Sequence, residues 1–208
     1  MSDSVAAIVA AAGLSRRMGS CKQLLDLGGK TVMKRCLETL LSGGIRQIVV
    51  VVGPQGEDVA SEAGRFKVEI AVNEDLAGDM ASSVRIGRQQ LAINVTGVIV
   101  ALCDYPLVTS DTIAHLVACH TAAPGTILIP THCGRKGHPT LFPTAALDEL
   151  TEGVTLRDVV HREPLRIQLI EVDDPGILQD MDTPEDYHLL RKRFPEFMAP
   201  SARRPPVE

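Results

Sequence analysis

The segment VAAIVAAAGLSRRMGSCK, residues 5–22, is the stretch from which the fold can be argued. It begins as an apolar run, passes through small residues to Gly13, and ends with Arg16, Arg17 and Lys22. Small side chains let a backbone approach a ligand closely, and successive N–H groups in such a loop can surround an anion. The segment therefore predicts either a strand with a phosphate-binding loop or a plain strand-to-helix turn with solvated arginines.

Two common phosphate motifs are excluded by their spacing. The P-loop requires G-x-x-x-x-G-K-[ST], and although residues 28–31 read GGKT, Leu24 occupies the place of the first glycine. The dinucleotide fingerprint requires G-x-G-x-x-G after the first strand, whereas Leu14 and Ser15 follow Gly13. A phosphate site in this segment must use a different loop.

The composition is that of a globular protein with an aliphatic core. Of 208 residues, 45% are hydrophobic, 23% are charged and 3% are aromatic, and the net charge is −5. This charge gives no general attraction to nucleic acid or to an anionic membrane, and no apolar stretch is long enough to span a bilayer. Five cysteines without a C-x-x-C pair, and no secretory leader, predict a cytoplasmic location. We expect one domain over residues 1–194 and a flexible, proline-rich tail over 195–208.

Short β-branched runs alternate with longer segments in which apolar residues recur every three or four positions. This alternation predicts a three-layer, Rossmann-like α/β sandwich with a mostly parallel sheet, which binds ligands at the carboxyl ends of its strands. The predicted strands cover residues 5–11, 45–52, 67–72, 95–102, 125–130 and 165–171, and the predicted helices cover 30–43, 55–65, 79–92, 109–121, 143–151, 155–162 and 183–194.

Acidic residues at two places indicate a site for a hard divalent cation. Asp104 follows the run VIVALC at the carboxyl end of a predicted strand, and Asp180 and Asp182 directly precede a predicted helix with Thr183 as its N-cap. Carboxylates in these places suit Mg²⁺, with turn or helix capping as the alternative, and the spacing excludes an EF-hand loop. We interpret them as two separate carboxylate sources for one ion.

A zinc site is a weaker interpretation of the segment THCGRKGH, residues 131–138. His132, Cys133 and His138 lie close together in the sequence, but no second spaced pair completes a typical set of zinc ligands. We therefore expect no zinc site there.

Four motifs in order resemble the molybdenum-cofactor nucleotidyltransferases. They are the opening A-A-A-G-L-S-x-R-M-G-x-x-K, the central C-D-Y-P, the GHP at 137–139 and the D-x-D-T-P near the end. The resemblance covers the chain up to about residue 194 and implies a fold of the nucleotide-diphospho-sugar transferase type. It is greatest to the branch that transfers CMP from CTP to molybdopterin, with release of pyrophosphate, and it implies Mg²⁺ as the cofactor.

The resemblance also implies roles for individual residues. Arg17, Lys22 and Asp104 would be catalytic, and His138 would contact the pterin, although a histidine beside a glycine and a proline can also simply close a turn. The nucleotide would be bound by the opening loop and by the segment NEDLAGDMASSV, residues 73–84, through Ala11, Ala12, Gly13, Arg17, Gly19, Lys22, Gly78, Ser82 and Ser83.

The metal positions and one departure from the family pattern complete this set. Asp104 and Asp182 match the places that hold Mg²⁺, with Asp180 as a weaker candidate. Cys103 stands where glycine is frequent, so the backbone freedom of glycine is lost at that position.

The base and the acceptor stay open at the level of sequence. Ala12 stands where relatives that transfer GMP tend to have a glycine, and this favours CTP over GTP. The alternatives are GMP transfer to the same pterin, cytidylyl transfer to a sugar or polyol phosphate, and a nucleotide-binding protein that escorts the cofactor without turnover. The resemblance further implies a molybdoenzyme, or its maturation factor, as a partner.

Overall fold

The computed structural model describes residues 4–13, 18–75 and 79–197. Each predicted strand and helix is present in these ranges, with its ends displaced by a few residues. The strands are β1 (Val5–Ala10), β2 (Ile48–Val52), β3 (Glu69–Val72), β4 (Gly97–Leu102), β5 (Ile127–His132), β6 (Arg135–Lys136), β7 (Thr140–Pro143) and β8 (Ile167–Glu171). The helices are α1 (Val32–Ser42), α2 (Glu57–Ala63), α3 (Met80–Gln89), α4 (Ser110–Ala122), α5 (Thr144–Leu147), α6 (Leu156–Arg162) and α7 (Pro184–Phe197).

The strands form a sheet in which most neighbours run parallel. β1 lies between β2 and β4 and is parallel to both, and β3 is parallel to the other edge of β2. β7 is antiparallel and lies between β4 and β5, while β6 and β8 both pair with β5. The order over the described residues is therefore β3-β2-β1-β4-β7-β5, with β6 and β8 beside β5.

Helices cover both faces of this sheet. In β1, Val5, Ala7 and Val9 belong to a core that includes residues of α1, α2, α4 and α7, whereas Ala6 and Ile8 belong to a second core with α3, α5 and α6. Burial on both faces explains why the central strands are apolar at every position. The predicted three-layer α/β sandwich with a mostly parallel sheet is confirmed.

The antiparallel strand β7 was not among the predicted strands. The sequence analysis predicts no strand between residues 130 and 165, yet Thr140–Pro143 pairs with β4 and lies between β4 and β5. This pairing joins segments about 40 residues apart in sequence, so no local pattern indicates it.

The start of α7 agrees with its predicted cap. The Asp186 carboxylate accepts hydrogen bonds from the N–H groups of Asp182 and Thr183, and the Thr183 hydroxyl accepts one from the Asp186 N–H in return. These bonds satisfy amides that the first turn of a helix leaves unpaired. The helix continues to Phe197, three residues beyond its predicted end, and the single-domain division at residue 194 stays a prediction.

Within the described ranges, none of the helices combines the length and the apolar character that crossing a bilayer requires.

Candidate active site

The residues directly after β1 line two cavities at the carboxyl ends of the central strands. The cavities have volumes of about 400 and 220 Å³, and both are lined by Ala12, Gly13 and Gln23. A Cβ atom placed on Gly13 would meet no other atom within 4 Å, so the space beside this residue is open. Gly19 has a φ of +64°, which favours glycine at the far end of the same loop.

Lys22 connects this loop to two carboxylates from distant parts of the chain. It begins a short 3-10 helix, Lys22–Leu24, and its Nζ donates to Asp104 Oδ2 at 2.7 Å and to Asp182 Oδ1 at 3.2 Å. Asp104 lies just beyond β4, and Asp182 lies just before α7. The fold thus brings together three of the residues that the sequence selected, across 160 positions of chain.

The negative charges of Asp104 and Asp182 raise the pKa of Lys22. Burial lowers the pKa of Lys22 and is the largest single influence, but the charges and hydrogen bonds of Asp104 and Asp182 together outweigh it. The pKa of Lys22 is therefore raised overall, and its ammonium group stays charged at neutral pH. The cluster is a cation held between two anions at the edge of a cavity.

One carboxylate oxygen of Asp104 has no partner among the residues that the structure describes. Its Oδ1 is buried, and no donor in the described residues reaches it, although Oδ2 is bonded to Lys22. The described residues contain no group of three or more His, Cys, Asp or Glu side chains that could enclose a metal ion by themselves. Mg²⁺ commonly uses one or two carboxylates and completes its shell with water and phosphate oxygens. The unpaired oxygen of Asp104, with Asp182 nearby, fits such an ion.

His138 lies beside this cluster on the side of β7. Its ring centroid is 4.8 Å from that of Tyr105, and its backbone N–H donates to the Ile177 carbonyl at 3.0 Å. Burial lowers the pKa of His138, and the charges of Asp104 and Asp180 only partly oppose this, so the imidazole is neutral at pH 7. Burial, followed by the charges of three nearby carboxylates, raises the pKa of Tyr105 to about 12. Both rings therefore lie near the acidic cluster without carrying charge.

Cys103 tolerates its position without strain. Its φ is not positive, so the conformational freedom of glycine is not required there. A hydrogen bond with the Cys36 thiol, together with burial, holds the pKa of the Cys103 thiol well above its usual range. The residue packs as a protonated thiol in the core.

Ser82 and Ser83 form part of the first turn of α3. The Asn73 side chain donates to the Ser82 hydroxyl at 2.8 Å and to the Ser83 hydroxyl at 3.0 Å, and Asp79 caps the helix through the Ser82 N–H. Ser83 also lines the smaller cavity, where Asp79 and Met80 are its neighbours. Their hydroxyls thus already have partners in the protein, and their proposed contact with a nucleotide stays a prediction.

Three of the selected residues are not part of the described structure. Arg16, Arg17 and Gly78 lie outside the described residues, so their predicted contacts stay predictions. The zinc interpretation gains no support within the described ranges, because His132 Nδ1 contacts the Val172 carbonyl at 2.9 Å and the Cys133 side chain is exposed.

Gln23 is a residue of the site that the sequence analysis missed. It is 2% exposed, and its side-chain amide donates hydrogen bonds to the carbonyl oxygens of Ala11 and Gly13. Buried glutamine is uncommon, and no motif marks it. Its position directly after the selected Lys22 was the one available signal.

Comparison with known proteins identifies the family of this chain. The profile of the family described as "MobA-like NTP transferase domain" matches residues 7–168. The chain is 28% identical over 198 residues to nicotine blue oxidoreductase of Paenarthrobacter nicotinovorans, covering 89% of this chain and 96% of that protein. It is 26% identical over 193 residues to the molybdenum cofactor cytidylyltransferase of Escherichia coli, covering 91% and 96%.

One of the similar solved structures is a complex with a metal ion. The Mycobacterium tuberculosis protein Rv0371c in complex with manganese is 25% identical, has a TM-score of 0.72, and matches over 90% of this chain and 98% of that one. The sandwich is of the nucleotide-diphospho-sugar transferase type. With its family profile matched over most of its length, this chain belongs to the MobA-like NTP transferase family and is a nucleotidyltransferase.

Proposed function

We propose that the protein transfers CMP from CTP to molybdopterin carrying molybdenum, with Mg²⁺ as cofactor and pyrophosphate as the second product. The observation that carries this proposal is the cluster in which Lys22 bridges Asp104 and Asp182 at the edge of the cavity beside Gly13. The choice of CTP and of the pterin is supported by the relative from Escherichia coli, whose name states that activity.

The reaction needs no nucleophile from the protein. A terminal phosphate of the acceptor already carries an anionic oxygen, which attacks the α-phosphorus of CTP while the bond to pyrophosphate breaks. The protein's tasks are to align these groups and to neutralise the charge that moves to pyrophosphate. The Lys22 ammonium, next to the loop after β1, is placed to take up that charge, and Arg17 would add a second cation.

Asp104 and Asp182 would hold the Mg²⁺ ion. When bound, the ion supplies positive charge to the phosphates of the nucleotide. Asp104 Oδ1, which has no partner in the described part of the chain, supports this assignment, because a buried carboxylate oxygen is costly until a cation or a donor reaches it. Asp180 is exposed and serves as the weaker third candidate.

His138 and Tyr105 would form the wall of the acceptor site. Both are uncharged near neutral pH, so each can offer a hydrogen bond to a heterocycle without attracting phosphate in place of it. Their 4.8 Å ring contact holds the pair next to Asp104. A molybdoenzyme or its maturation factor would receive the finished cofactor.

Thermal unfolding with Mg²⁺ and each of CTP, GTP, ATP and UTP tests the nucleotide part of this proposal. A ligand that binds only the folded state, added at about 100-fold above its Kd, should raise the midpoint by about 5–10 °C. We expect this rise with CTP and its loss in Asp104→Asn. The matched control is Asp58→Asn, which removes an exposed carboxylate from the first turn of α2 and should keep the rise.

Two outcomes would change the proposal. A rise with GTP in place of CTP would assign GMP transfer. The absence of a rise with every one of the four nucleoside triphosphates would contradict the nucleotide part of the proposal.

A further inference from the structure

The side chain of Gln23 ties together the two ends of the loop after β1. Its Nε2 donates to the carbonyl oxygen of Ala11 at 3.1 Å and to that of Gly13 at 3.4 Å. Its Oε1 accepts a hydrogen bond from the Cys21 thiol at 3.2 Å. Ala11 and Gly13 precede residues 14–20 and Cys21 follows them, so a single amide spans the neck of the loop.

The chemistry of these contacts requires an amide. Backbone carbonyls only accept hydrogen bonds, so the group facing Ala11 and Gly13 must offer two N–H donors, and this fixes the orientation of the Gln23 amide. The side chain is 2% exposed, so water does not readily replace it. Glutamate has no N–H group to offer, and leucine has neither a donor nor an acceptor.

Gln23 is connected to the proposed reaction through its neighbour Lys22. Lys22 precedes Gln23 in the same 3-10 helix, and its Nζ lies 2.7 Å from Asp104 Oδ2. Fixing Gln23 against the backbone of residues 11–13 therefore fixes the base of the Lys22 side chain relative to the loop. Gln23 also lines both cavities beside this loop, so its contacts lie where the nucleotide is proposed to bind.

We propose that Gln23 is a positioning residue for nucleotidyl transfer, which holds Ala11, Gly13 and Lys22 in the geometry that binds the triphosphate. This rests on the nucleotide site proposed above. It differs from a purely structural role, because the loss of Gln23 should weaken triphosphate binding by more than the loss of a comparable amide remote from the site.

Calorimetric titration of the full chain with Mg²⁺–CTP and with Mg²⁺–tripolyphosphate tests this proposal. For Gln23→Leu we expect both dissociation constants to rise by about 10- to 100-fold, as small misplacements of binding groups do. For Gln23→Glu we expect a similar loss at about pH 7.5 and partial recovery at about pH 5.5, because a protonated carboxyl can donate to one of the two carbonyls.

Gln47 supplies a matched control. Its amide also ties backbone segments together, since it accepts from the Ala92 N–H and donates to the Gln90 carbonyl, but it lies at the amino end of β2, away from the site. Gln47→Leu and Gln47→Glu should change both dissociation constants by no more than about twofold, as expected for remote sites. Urea unfolding of all four variants separates the loss of binding from the loss of stability.

The outcomes distinguish this inference from the proposed function. Parent-like binding by Gln23→Leu, even with a lower unfolding midpoint, would overturn the positioning role. If the parent binds tripolyphosphate but not CTP, the choice of base is wrong, and the ratio of the dissociation constants of Gln23→Leu and the parent for tripolyphosphate still decides the role of Gln23. A parent that binds none of these probes would overturn both.

Discussion

Asp104 and Asp174 are two carboxylates set into the same end of the molecule, and the protein treats them in opposite ways. Asp174 is 1% exposed, and its Oδ2 accepts from the Thr109 N–H at 2.8 Å, the Thr109 hydroxyl at 2.9 Å and the Thr112 hydroxyl at 2.7 Å. Its Oδ1 accepts from the Gly176 N–H at 2.9 Å. Every donor comes from the chain itself, so this carboxylate joins the start of α4 to the segment after β8.

Asp104 is bonded through one oxygen to Lys22, and its other oxygen is buried without a partner among the described residues. A carboxylate that is fully bonded within the protein stabilises the fold, whereas one that is half bonded costs free energy until a ligand arrives. The two carboxylates thus differ in bonding as well as in exposure, and the incomplete bonding of Asp104 is what favours the proposed metal-binding role over a structural one.

The largest difference that we expect between the two carboxylates is in turnover. We expect Asp104→Asn to lower the rate of pyrophosphate release from CTP by about 1,000-fold, because it removes charge from the group placed to hold the cation. The free energy of unfolding without ligand should change by only about 1 kcal/mol, since Lys22 keeps Asp182 as a partner.

Steady-state kinetics and urea unfolding measure these two quantities on the same preparation, with Asp58→Asn as the control that should alter neither. An Asp104→Asn protein that turned over at the parent rate would refute the assignment of this carboxylate. A large loss of stability with normal turnover in the surviving folded protein would place Asp104 with Asp174 as a structural residue.

The second effect is on stability. We expect Asp174→Asn to lower the free energy of unfolding by about 3 kcal/mol, because it sets an N–H₂ group against donors that are buried with it. Turnover per folded molecule should stay near that of the parent below the unfolding transition. Urea unfolding with an unchanged m-value gives the first quantity, and kinetics at low temperature give the second.

Normal stability in Asp174→Asn would mean that the four donors find other partners. Asp174 could then no longer be described as a structural carboxylate. Loss of turnover at full stability would instead show that the segment after β8 shapes the site directly.

The sequence predicted the parts of this molecule that local pattern controls. Strands such as IVVVV at 48–52 are buried on both faces, so their residue types alone indicated them. Lys22, Asp104 and Asp182 each follow or precede an element whose end could be recognised, and the rule that ligands lie at the carboxyl ends of parallel strands placed them together.

The parts that escaped prediction depend on contacts between distant segments. β7 was missed because its pairing partner β4 is remote in sequence, and the Gly and Pro beside it are typical of loops. Gln23 and Asp174 were missed because glutamine and aspartate are usually exposed, and only the folded chain shows which donors and acceptors surround them. The bonding state that distinguishes Asp104 from Asp174 belongs to the same class.

The smallest effect extends the comparison to a histidine. His120 Nδ1 is buried without a partner among the described residues, while its Nε2 lies 3.1 Å from the Thr96 hydroxyl. Burial lowers the pKa of His120, so the folded protein resists protonation at a pH where the unfolded chain accepts a proton. Stability should therefore be complete above about pH 6.5 and should decline as the pH falls below that value.

Urea unfolding at about pH 7.5 and about pH 5.5 measures this decline in the parent and in His120→Gln. The variant keeps a group that can bond to Thr96 but does not titrate, so its decline should be smaller. It should not vanish, because burial also lowers the pKa of His138. An equal decline in parent and variant would show that the unpaired Nδ1 imposes no measurable cost, and unfinished bonding would then identify functional groups only where the group is charged, as it is in Asp104.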